Sequence, residues 1–235
     1  MRQPVAFRDD QTRDDRKGHR TRLRARFLAD DSAATPDYEL LELLLFYGLP
    51  RIDTKPVAKA LMARYGSLPA ILAAPVDELQ KIHGIGDNAA ALLKAVREAG
   101  IRLARADIRQ RPVLDSGERV IEYCRATLGH SATEGFRVLF LDTKNALIAD
   151  EAQGGGTVNR LAVFPREVVK RALDLGASAI ILTHNHPSGD PTPSDVDIAT
   201  TRAIIDAASP LGIVVHDHII VSRSRHTSLK TAGLM

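Results

Sequence analysis

Residues 179–197 read Ala179-Ile180-Ile181-Leu182-Thr183-His184-Asn185-His186-Pro187-Ser188-Gly189-Asp190-Pro191-Thr192-Pro193-Ser194-Asp195-Val196-Asp197, and the whole chain is read outward from them. The apolar run from Ala179 to Leu182 predicts a buried strand leading into His184. Side chains alternate along a strand, so His184 and His186 leave its end on one side. Pro187, Gly189, Pro191 and Pro193 then turn the chain, and a helical pattern starts at Asp195. Asp197 falls in the first turn of that helix, where it can point back at the strand end. Two imidazoles and one carboxylate supply three ligands and leave a fourth tetrahedral position for water, the pattern of a catalytic zinc site. Each piece has an ordinary use as well. A His-x-His pair is common at strand ends, Ser194-x-x-Asp197 makes a helix N-cap, and a Pro/Gly-rich loop needs no function. The order of the pieces is what points to a metal.

At 235 residues the chain has room for one large domain or two modest ones. Its 44% hydrophobic and 26% charged content is that of a soluble globular protein. No apolar stretch approaches the roughly 20 residues of a membrane helix. The Arg/Asp-rich start has no apolar core of a secretory signal. A single cysteine, Cys124, excludes an internal disulfide and a cysteine-based zinc site. A cytoplasmic protein without a membrane partner is expected. Residues 1–111 carry an excess of Lys/Arg and residues 112–235 a slight excess of Asp/Glu, which hints at an acidic partner for the first half.

Residues 1–30 predict a basic, largely disordered arm, disordered through about residue 17 and then helical from Gly18, with Leu23, Phe27 and Leu28 available for docking. Residues 31–107 predict an all-α domain. Its helices cover Tyr38–Phe46, Pro56–Tyr65, Leu68–Ala74, Val76–Ile82 and Asp87 to about Ala106. Between the last two lies Lys81-Ile82-His83-Gly84-Ile85-Gly86, which resembles a helix-hairpin-helix DNA-binding module. Gly84, Ile85 and Gly86 would bring backbone N–H groups to a phosphate, and Lys81 and Lys94 would add charge. Such contacts imply non-specific duplex binding, and a tight turn between two helices explains the same residues. Polar residues around Pro112 place a linker at 108–114. Residues 115–235 predict an α/β domain with a mixed sheet. Its helices cover Asp115–Leu128, Pro165–Leu175 and Asp195–Ala208. Its strands cover Phe136–Asp142, Ala146–Glu151, Val158–Val163, 178–184, Ile213–His216 and Ile219–Ser222.

His184-Asn185-His186-Pro187, followed by Ser194 and Asp197, resembles the JAMM motif of the JAB1/MPN metallopeptidases. The run HNHPSGDPTPS, with GHRTRLRARFL, DYELLELLLFYGLPR and KPVAKALMARYGSL upstream, resembles the bacterial RadC group from Gly18 onward. The resemblance implies a JAB1/MPN-like, deaminase-like mixed-sheet fold, one Zn2+ per chain, and hydrolysis of a peptide or isopeptide bond in a protein substrate. A zinc deaminase is excluded, because the chain lacks its His-x-Glu and Pro-Cys-x-x-Cys elements.

A zinc hydrolase needs a base. Glu134, Glu151 and Glu167 all qualify on sequence, and the resemblance assigns Glu134, just before the strand at Phe136. It also assigns Ser194 to the oxyanion or the zinc water. Asn185 departs from the Ser or Thr of the eukaryotic deubiquitinases and points away from the ligands. His216 and His218 form a second His-x-His pair on one face of a strand or bend, read as supporting donors or surface residues. Two other functions compete: a non-catalytic DNA-associated protein, following the repair label of RadC-like chains, and an assembly scaffold. The complete ligand set counts against the scaffold. Oligomeric state is not readable.

Overall fold

The computed structural model describes residues 9–29, 35–109, 113, 117–153 and 163–235. The chain divides into two compact units, Met1–Arg97 and Glu98–Met235.

The first unit is helical. Its helices are α1 (Asp9–Ala29), α2 (Asp37–Gly48), α3 (Thr54–Tyr65), α4 (Leu68–Ala73), α5 (Val76–Gln80) and the first part of α6 (Asp87–Arg109). Aliphatic residues at helical spacing meet in one core: Leu41 and Leu45 of α2, Val57 and Leu61 of α3, Ile71 of α4, Leu79 of α5, and Ala89 and Leu93 of α6. Sequence chemistry sets the ends. Asp53 caps α3 through the Lys55 N–H, and Gly66 closes it at φ 80°, a backbone region in which glycine carries no Cβ penalty. Helix α1 begins nine residues before the expected start at Gly18. The stretch 9–17 contains no Gly or Pro, so nothing in it breaks a helix entered from Gly18. Of the three docking side chains expected on α1, Leu23 is buried against Leu43 and Phe46, Phe27 packs beside them, and Leu28 is exposed.

The second unit is a five-stranded mixed sheet in the order β2-β1-β3-β4-β5. The strands are β1 (Phe136–Leu141), β2 (Leu147–Gln153), β3 (Ala179–Asn185), β4 (Val214–Val221) and β5 (His226–Ser228). Strand β3 is central, antiparallel to β1 and parallel to β4, and all of its residues are buried. One sheet face, with Leu139, Leu141, Ile181 and Ile219, packs on α7 (Gly117–Leu128) together with Ile108 of α6. The other, with Phe136, Val138, Ile180 and Leu182, packs on α8 (Pro165–Asp174) and α9 (Asp195–Ala208). The result is a helix–sheet–helix sandwich, with α9 as the crossover between parallel neighbours β3 and β4.

Three expectations need revision. The division between units falls inside α6, at Arg97/Glu98, and the apolar residues of the helix's last turns belong to the second core. Of the linker expected at 108–114, residues 110–112 and 114 lie outside the described residues, Ile108 and Arg109 end α6, and Val113 is buried in the second core. The two strands expected at 213–222 are one strand, β4, carrying a register shift opposite Ile180/Ile181. A bulge leaves His216 without a partner in the ladder and breaks the alternation that sequence reading relies on, while pairing resumes on either side of it. Residues 158–162 of the strand expected at Val158–Val163 lie outside the described residues, and Val163 is in no strand. Among the described residues, no helix is long and apolar enough to cross a membrane.

Candidate metal centre

His184 ends the inward-facing series Ile180, Leu182, His184 of β3 and is 1% exposed. His186 lies just past the strand, its backbone N–H donating to Val221 of β4. The Nε2 atoms of the two rings lie 3.0 Å apart. Asp197, in the first turn of α9, places Oδ1 3.2 Å from His184 Nε2 and Oδ2 3.5 Å from His186 Nε2. Glu134, exposed at the approach to β1, joins them, and one ligand atom from each of the four lies within 4.8 Å of the others. A tetrahedral zinc with Zn–N bonds of about 2.0–2.1 Å holds neighbouring ligand atoms roughly 3.3 Å apart. The three motif residues match that spacing and are the donor types zinc takes.

The side chains are held from behind. Ser194 caps α9 in a reciprocal box: its Oγ accepts from the Asp197 N–H, while its own N–H and hydroxyl both donate to Asp197 Oδ2 at 2.7 Å. Burial raises the Asp197 carboxyl, and its contacts with His184 and Ser194 outweigh burial, holding it well below the ordinary carboxylate range. A carboxylate that stays charged against two imidazole nitrogens is a donor set for a cation. His186 Nδ1 lies 2.8 Å from the Asp190 carbonyl, an acceptor only, so this nitrogen carries the proton and Nε2 keeps the lone pair.

Two side chains matter more than their sequence reading indicates. Asn185 does point away from the ligands, and it clamps the Glu134 loop. Its Oδ1 accepts from the Gly135 N–H at 2.8 Å and its Nδ2 donates to the Thr133 carbonyl at 3.1 Å, one bond on each side of Glu134. His218 is buried with a ring nitrogen 2.8 Å from His184 Nδ1. Burial, reinforced by His184, pushes its imidazole down to about 3, so it is neutral at physiological pH. His216 and His218 do not share a face: the bulge separates them, and His216 bonds Asn145 Oδ1 at 2.7 Å. No sequence signal distinguishes the two, because strict alternation would place them together.

The other candidates are engaged elsewhere. Glu151 forms a two-pronged pair with Arg171 at 2.6 and 2.8 Å, which lowers its carboxyl, and Glu167 is exposed beside Arg166. Cys124 is buried, and burial pushes its thiol up to about 12. In the hairpin, Gly84 has φ 95° and packs against Val57 and Ile52. Ile85 is a core residue, while a side chain at Gly86 would meet nothing within 4 Å. Lys81 pairs with Glu78, and Lys94 donates to the carbonyls of Leu72 and Ala74 at the end of α4. Both lysines expected to meet phosphate are thus bound within the chain.

Comparison with known proteins agrees with this geometry. The RadC-like JAB domain family matches residues 114–234, which contain the whole cluster. A UPF0758 protein of Rhodobacter capsulatus is 54% identical over 213 residues, covering 91% of this chain and all of the relative. A UPF0758 protein of Ruegeria pomeroyi is 48% identical over 219 residues, covering 93% of this chain and 98% of its own length. With the motif residues gathered at the end of the central strand and relatives matched along nearly their full length, the chain belongs to the RadC family of JAB-domain proteins.

Proposed function

We propose that the chain is a zinc metallohydrolase of the JAMM type, cleaving a peptide or isopeptide bond in a protein substrate. The observation that carries this reading is the convergence of His184, His186 and Asp197 with a fourth residue, the exposed Glu134, within 4.8 Å. When bound, zinc would lower the pKa of its water from 15.7 towards roughly 7, giving a nucleophile at neutral pH. Glu134, beside those three residues, would serve as the base that takes the proton of the attacking water and returns it to the leaving amine. Asn185 keeps Glu134 at the site by holding the loop on either side of it. Ser194 orients Asp197 and leaves Oδ1 turned to His184. Its hydroxyl proton is committed to Asp197, so donation to a developing oxyanion requires that bond to rotate away.

The test is metal content per chain in the wild type and in His186→Ala, followed by turnover of peptide and isopeptide substrates. The expected result is one zinc in the wild type, none in His186→Ala, and a Glu134→Gln variant that keeps zinc and loses activity. No metal in the wild type after zinc reloading would sink the enzyme reading. A fully active Glu134→Gln would overturn the choice of base alone.

A further inference from the structure

His218 and Thr201 lie outside the ligand set, both buried, on β4 and in the second turn of α9. They close a ring of contacts that starts and ends at the metal residues. The Thr201 hydroxyl lies 2.6 Å from the Asp197 carbonyl, and its Oγ1 lies 2.6 Å from His218 Nδ1. His218 Nε2 lies 2.8 Å from His184 Nδ1.

With a metal on His184 Nε2, this ring admits one arrangement of protons. A carbonyl oxygen only accepts, so the single hydroxyl proton of Thr201 goes to Asp197. Were it turned to His218 instead, two acceptor oxygens would face each other at 2.6 Å with no proton between them. Thr201 Oγ1 therefore accepts from His218 Nδ1. His218, 1% exposed, then turns its Nε2 to His184 Nδ1 at 2.8 Å, a separation that requires one proton between the two nitrogens. A His184 ring that gives Nε2 to a metal keeps its single proton on Nδ1, so His184 donates and His218 Nε2 accepts. His184 is left with Nε2, the atom that faces His186 and Asp197.

We infer that His218 and Thr201 are positioning residues, which hold a proton on His184 Nδ1 and so present the Nε2 lone pair to the metal. Metal-binding histidines commonly donate their second N–H to a carboxylate, a backbone carbonyl or water. Here the acceptor is a neutral, buried imidazole, itself set by a threonine that is set by the backbone of another ligand. Asp197 thus contributes twice, through its carboxylate and through its carbonyl. The assignment rests on the zinc reading above.

The experiment has two arms on the full chain. Nitrogen NMR of metal-free protein labelled with 15N-histidine assigns the ring protons of His184. Zinc affinity is measured by competition with a chromophoric chelator for the wild type, Thr201→Val, Thr201→Ser and His218→Gln. The expected result is a proton on His184 Nδ1 in the wild type and Thr201→Ser. Thr201→Val should lose that single state, with zinc affinity about 10–100-fold weaker in it and in His218→Gln. Thr201→Ser, which keeps the hydroxyl, should stay near wild type, a rescue that a packing role alone would not produce. A neutral His184 with its proton on Nε2, or Thr201→Val binding zinc as the wild type does, overturns the relay. Should Thr201→Val fail to fold, the wild-type nitrogen spectrum decides alone. Absence of zinc uptake by the wild type defeats the metal reading and the relay's role with it, whereas zinc uptake with the proton on Nε2 defeats only the relay.

Discussion

Asn185 shows how far a single residue's role depends on what folding brings to it. Strand alternation correctly turns it away from the histidines, and nothing in its neighbourhood along the chain says that Thr133 and Gly135 wait there. Fully buried, its carboxamide satisfies a donor and an acceptor of the Glu134 loop. Asn185→Ala leaves both groups unpaired and is expected to cost about 1–3 kcal/mol of stability, measured by urea unfolding of the metal-free protein. A loss near zero would mean that water or a loop shift replaces the clamp. Positive charges teach the same lesson. Arg20 donates to the carbonyls of Leu49, Pro50 and Ile52 at 2.6–2.9 Å, and burial, with Arg97 adding to it, lowers the ammonium of Lys94 beneath the α4 carbonyls. A basic side chain read as a phosphate contact can equally serve the unpaired C=O groups at a helix end.

Among the elements, α9 was legible to the residue and β4 was not. Ser194, Asp195 and Asp197 form a local start signal whose chemistry is complete within four residues, and the helix runs Asp195–Ala208 as expected. The bulge in β4 comes from pairing with β3, and no local residue type announces it. Close approach of elements is equally silent in sequence. At Gly129, after α7, an added Cβ would lie 2.8 Å from the Arg125 carbonyl and 2.9 Å from that of Ser222, just past β4. Both obstacles are backbone and cannot turn aside. Gly129→Ala is expected to lower stability by about 1–3 kcal/mol in a denaturant titration. An unchanged midpoint would show that α7 can slide on the sheet.

At the scale of the molecule, the division inside α6 has a practical consequence. Ile101, Ala104, Ile108 and Val113 pack on the core formed by α7 and the sheet. A fragment beginning at Glu98 keeps them, whereas one beginning at residue 115 strips the core of all four. The longer fragment is expected to melt cooperatively and take up zinc as the full chain does, and the shorter to melt lower or aggregate. Calorimetry and zinc content check both. Equal stability of the two fragments would place the boundary at the Pro112 segment after all.

The chain by itself determined the elements whose signals are local: the apolar run of β3, the capped start of α9, the amphipathic helices, and the two-domain order. It also determined that His184, His186 and Asp197 meet, because strand period and helix start bring them together over a short loop. The choice of Glu134 over Glu151 and Glu167 is different. On sequence it rested on resemblance, whereas its nearness to His184, His186 and Asp197 comes from the pairing of β1 with β3, which carries residue 134 to the strand end while Arg171 captures Glu151. The Asn185 clamp and the ring through Thr201 and His218 likewise join residues 17 to 52 positions apart. Such contacts are made only when strands pair and a helix docks, so tertiary structure alone decided how these side chains are held.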